Sequence, residues 1–120
     1  MAKCQALNHF FNSFGVTAYE ESTVPNNATF PRITYQSATG SLDDVLQIDC
    51  SVWDLSNSWA TVDRVVNTIE SVVSEFACPQ IEGGRYRVFK GTPFAQRMKD
   101  PENDNIRRTV IHLNFEFMTI

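Results

Sequence analysis

The residues able to do chemistry in this 120-residue chain are few and scattered. Three cysteines (Cys4, Cys50 and Cys78) stand far apart, without a CxxC pair or a Cys/His cluster at zinc spacing. The two histidines, His9 and His112, lie about a hundred positions apart. Paired carboxylates for general acid–base work could come from Asp43-Asp44, Asp49 and Asp54. Asp43 and Asp44 read as hairpin residues, however, and Asp49 falls on the wet side of a strand. Asp100, Glu102 and Asp104 alternate like a calcium loop but lack its glycine and closing glutamate. Gly83-Gly84 has neither the GxxxxGK nor the GxGxxG surroundings of a phosphate cradle. No GxSxG or HExxH motif occurs. The expectation is a chain that is not an enzyme, with no cofactor and no metal.

The elements that would position these residues are clearer. Val45 to Trp53 alternates: Leu46, Ile48, Cys50 and Val52 on one side, Gln47, Asp49 and Ser51 on the other. That is the period of a half-buried strand. Ser58 to Phe76 then steps by three and four through Trp59, Val62, Val66, Ile69, Val73 and Phe76. Valine favours strands, but Val65-Val66 and Val72-Val73 recur seven residues apart, which is two helical turns. Ser56, Asn57 and Ser58 offer N-caps. Pro79 ends the helix.

Around this unit, residues 2–14 read as a short helix with Leu7, Phe10, Phe11 and Phe14 on one side and Gly15 as its cap. His9 beside that stripe reads as structural. Val16 to Tyr19 and Arg32 to Gln36 read as strands, joined by a polar loop. Residues 79–84 read as a turn, Arg85 to Phe89 as a strand, and Thr92 to Lys99 as a helical turn or extended segment. Lys99 to Asn105 reads as a solvated loop. Arg107 to Met118 alternates cleanly, with Ile111, Leu113, Phe115 and Phe117 opposed to Val110, His112, Asn114 and Glu116. The expected architecture is a single α+β domain over residues 1–120. Its sheet is four- to five-stranded and mostly antiparallel, with an N-terminal helix and a long central helix packed on one face.

Composition is that of a globular protein, 42% hydrophobic and 20% charged. No apolar run approaches the ~20 residues of a membrane span. No signal peptide is visible, so synthesis in a cytoplasm is expected. The net charge of −4 is unevenly laid out. Residues 1–84 hold three basic and ten acidic side chains, whereas residues 85–108 hold seven basic and three acidic ones. Such a split suits self-association or a local nucleic-acid patch. Only Tyr86, Phe89 and Phe94 supply aromatics there, few for base stacking.

In order and spacing the chain resembles the tail terminator, or tail-completion, proteins of long-tailed bacteriophages. The resemblance runs from Phe11–Gly15 and Tyr19 through Thr29-Phe30-Pro31-Arg32-Ile33-Thr34-Tyr35. It continues over Leu46 to Trp53 and the trailing helix, then the charged loop Asp100 to Asn105, Arg107-Arg108 and the closing strand. It implies a virion structural subunit forming a ring, usually a hexamer, that caps the head-proximal end of the tail tube. Its implied partners are further copies of itself, the tail tube protein and the head–tail connector. DNA would pass the lumen unread, and no membrane is involved. A head-closure adaptor, a minor tail-tube protein and a nucleic-acid-binding module are the alternatives. A ring needs one patch meeting a different patch. Arg85, Arg87, Arg97, Lys99, Arg107 and Arg108 are the expected basic side, with Asp43, Asp44 and Asp54 facing them.

Overall fold

The computed structural model describes residues 2–36, 45–74, 80–81, 84–100 and 103–119. Helix α1 spans Ala2–Phe11 and runs into a 3-10 turn at Asn12–Phe14. Gly15 closes it at φ 88°, a left-handed conformation that a side chain would disfavour. Strands β1 (Thr17–Glu20), β2 (Arg32–Tyr35) and β3 (Val45–Leu55) lead to α2 (Ala60–Ser74). Then come β4 (Gln80–Ile81), β5 (Gly84–Lys99) and β6 (Ile106–Thr119).

The fold is α+β, but the expected sheet is corrected in two respects. It has six strands, in the order β1-β2-β3-β6-β5-β4, and it is mixed. Four pairings are antiparallel, and β1 runs parallel to β2 from Thr17↔Arg32 to Glu20↔Tyr35. The connection over residues 21–31 is long enough to bring the chain back to the same end, as a parallel pair requires and a tight hairpin forbids. The extra strand, β4, is too short to show an alternation. Thr92 to Lys99 is extended, not helical, as the outer half of β5.

Each alternation becomes a sheet face. Ile111, Leu113, Phe115 and Phe117 on β6 are fully buried; they meet Ile48 and Cys50 on β3 and Tyr86 and Val88 on β5. Helix α2 buries Val62, Val65, Ile69 and Val73 in the same cluster, about 1.5–3 kcal/mol for each side chain. Val66 and Val72 are only partly buried, so the stripe sits slightly round from the one its sequence suggests. Phe76, Cys78 and Pro79 lie outside the described residues. At the other end, Phe10 packs edge-on against Phe11, Phe14 and Phe115, with centroids 5.0, 5.1 and 5.3 Å apart. Phe11 stacks on Tyr35 at 4.7 Å. On the opposite sheet face, Thr34, Asp49, His112 and Asn114 are half-buried.

The β5–β6 hairpin is long, and it contributes to a molecule extending 46 × 29 × 22 Å. Its register breaks once, between Lys90 and Ala95. There the backbone of β5 comes so near β6 that a Cβ on Gly91 would lie 2.8 Å from the His112 Cβ, which only glycine avoids.

Candidate assembly interface

Both tryptophans sit at the end of the molecule where the β5–β6 hairpin meets the start of α2. Local hydrogen bonds hold this end in place. Of the expected N-caps, Ser58 caps the helix, its Oγ accepting from Ala60 N at 3.1 Å; Ser56 Oγ accepts from Ser58 N at 3.0 Å, in the turn before the helix. Ser56 N donates to the Asn105 carbonyl at 2.7 Å, tying the helix entrance to the hairpin loop. Arg107 reinforces that tie by donating to the Asp104 carbonyl at 3.0 Å and the Asn57 carbonyl at 3.1 Å.

On the helix side of the sheet, two guanidiniums lie against Trp59. Arg97 stacks on it at 4.4 Å and Arg107 stands 5.6 Å away. Arg97 also pairs with Asp63 at 2.8 Å. An open cavity of about 410 Å³ lies here, lined by Trp59, Arg97, Lys99, Arg107, Asp100 and Asp104 among others.

On the other side, strand register sets Arg32, Trp53, Arg108 and Met98 in one row across four strands. Arg108 stacks on Trp53 at 4.4 Å and donates from Nε to Ser51 Oγ at 3.1 Å. Trp53 donates from Nε1 to Thr34 Oγ1 at 2.9 Å. Arg32 lies 4.2 Å over Phe30 and donates to the Ala28 carbonyl at 3.2 Å. Leu55 and Met98, 53% and 45% exposed, complete the patch. Tryptophan, arginine and methionine are the residues that protein interfaces concentrate at their centres. Stacked guanidiniums shed water from one face and keep donors free at the rim.

The expected interface residues do not all gather here. Arg97, Lys99, Arg107 and Arg108 do. Arg87 stands near the far end of β5, paired with Glu116 at 2.5 Å. Arg85 lies beside it in sequence, with its backbone opposite Gln80 and Met118. Asp54 is 9% exposed, opposite Arg107 in register, and accepts from Leu55 N at 2.9 Å. Asp43 and Asp44 lie outside the described residues. Among the described residues, Arg97 meets Asp63 and Arg87 meets Glu116. Trp53, Leu55 and Arg32 were missed, although the alternation of β3 puts Trp53 and Leu55 in line with Gln47, Asp49 and Ser51. A tryptophan on a wet strand face was the available clue.

The reactive residues that the structure describes lie elsewhere. Asp49 Oδ1 meets His112 Nδ1 at 2.8 Å across the β3–β6 pair, and His112 Nε2 meets Gln96 Oε1 at 3.1 Å. The third member of that line is an amide, which supplies no nucleophile. Cys50 points into the core; burial first, then the nearby Asp49 charge, pushes its thiol well above the ordinary range and keeps it protonated. His9 is exposed beside a small cavity of about 160 Å³ lined by Phe10, Val73 and Tyr86. Among the described residues no group of His, Cys, Asp and Glu could hold a metal ion. No helix there is long and apolar enough to cross a membrane.

Fold and patch together define an α+β chain whose most distinctive described surface has the make-up of a protein–protein interface. The chain matches no model of a known protein family and no curated protein.

Proposed function

We propose that this chain is a virion structural protein of a long-tailed bacteriophage. Copies of it form a ring, a hexamer by the resemblance drawn above, on the head-proximal end of the tail tube. The ring ends tail growth and presents a surface to the head–tail connector, while DNA passes through its lumen unread. The observation that carries this reading is the end of the molecule bearing Trp53 and Trp59, with Arg97, Arg107 and Arg108 on their rings and Leu55 and Met98 exposed on the Trp53 side. A surface of that kind is suited to being covered by another protein. A closed ring needs a heterologous contact, and this end resembles no other described part of the molecule.

Charge reversal at Arg107 and Arg108 together tests the reading. The expected outcome is loss of rings on tail tubes in negative stain, with tails that are uncontrolled in length or fail to join heads. Rings and infectivity equal to those of the parent chain reject it.

A further inference from the structure

The two edges of the sheet are finished differently. At the β1 edge, the Asn12 side chain occupies the outward-facing backbone of Ala18, accepting from its N–H at 2.9 Å and donating to its carbonyl at 3.3 Å. The Glu20 carbonyl accepts from Thr23 N at 2.9 Å and Thr23 Oγ1 at 3.0 Å. That edge has little left to offer an incoming strand. On the other side, β4 covers only Gly84 and Arg85 of β5. From Tyr86 to Lys99, β5 has β6 on one side and, among the described residues, no strand on the other.

An unpaired edge presents a row of N–H and C=O groups for strand addition. Pro93 and the register break guard the middle of β5. Beyond them, Ala95 to Lys99 pair without interruption with Ile111 to Arg107, and all five are exposed.

The side chains indicate what the edge accepts. β5 carries Arg85, Arg87, Lys90, Arg97 and Lys99 and no acidic residue. A second β5 would set like charges against like, and the β1 edge of a second copy is shut. A strand added about 4.8 Å away would place alternate residues beside Arg97 and Lys99. These two border the cavity that Trp59 and Arg107 help to line, with Asp100 and Asp104 as its acids. Arg97 already pairs with Asp63 at 2.8 Å, so an incoming carboxylate belongs beside Lys99, and small apolar residues suit the positions beside Gln96 and Met98.

We infer that the Ala95–Lys99 edge of β5 binds an extended acidic and apolar segment of a different protein by strand addition. This goes beyond the ring reading and does not require it.

The test uses the full isotope-labelled chain and a blocked peptide of about ten residues alternating glutamate and valine, enough to overhang the edge at both ends. Addition of the peptide should slow amide exchange at alternate residues between Ala95 and Lys99. N-methylation along one edge of the peptide should abolish that protection, while methylation along its other edge leaves it. Lysine in place of glutamate, or Lys99→Glu in the chain, should weaken binding about tenfold. Unchanged exchange at millimolar peptide overturns the inference, as does equal binding of the lysine peptide or of both methylated forms. Protection that rises with protein concentration alone also overturns it, by giving the edge to a second copy. Only the outcome that gives the edge to a second copy touches ring formation, and it would support a contact between copies while overturning this inference; the other outcomes leave the ring reading as it stands, so the two readings fail separately.

Discussion

Aromatic residues gather at both ends of this molecule, and their partners differ. At the α1 end, Phe10, Phe11, Phe115, Phe117, Tyr35 and Tyr86 meet one another, edge-on, tilted or stacked, and all are buried. At the hairpin end, Trp53 and Trp59 meet guanidiniums and are half-buried. Rings packed on rings hold the fold together. Rings packed on charges are still partly wet, so they can lose more water when a partner arrives. On the proposed function, the contrast separates what the chain uses to fold from what it has left for binding.

The sharpest way to break this contrast is to remove a ring from each end. Phe115→Ala leaves a cavity among Phe10, Phe11, Tyr86 and Phe117, and should cost about 3–5 kcal/mol in urea unfolding. Trp59→Ala should cost less than about 2 kcal/mol, because that ring is already partly exposed, yet it should impair assembly as severely as charge reversal does. Equal losses of stability at the two ends would erase the distinction.

Alkaline titration sharpens it further. Burial pushes the Tyr86 hydroxyl from 10.0 up to about 12. The unfolded chain therefore loses that proton first, and stability falls as pH rises from about 10 toward 12. Cys50, shifted the same way, begins the decline at lower pH. Tyr86→Phe should flatten the upper part of a plot of urea midpoint against pH. A plot with its slope unchanged would mean that Tyr86 is not sealed in the core. The smallest effect belongs to the surface pairs: Lys90→Ala, which breaks the exposed contact with Glu70 at 3.1 Å, should change stability by no more than about 1 kcal/mol.

The packed end was the legible one. Phe10, Phe11 and Phe14 at helical spacing, and Ile111 to Phe117 at strand spacing, announce burial because the periods of helix and strand are local properties. The valine pairs of α2 were legible for the same reason. The parallel β1–β2 pairing and two-residue β4 were not, since pairing partners depend on how a loop returns and two residues have no period. The proposed interface was half legible. Clustered arginines pointed to Arg97, Arg107 and Arg108, but Arg97 closes on Asp63 from α2, a pairing across 34 positions that no spacing announces. Asp54 looked available and is buried.

The most direct measurement is the mass in solution, and on isolated tail tubes, of the parent chain and of the Arg107→Glu, Arg108→Glu variant, with circular dichroism to show that both are folded. The account predicts rings of the parent chain on tubes and none of the variant, at closely similar folded content. Identical rings from a folded variant would contradict it.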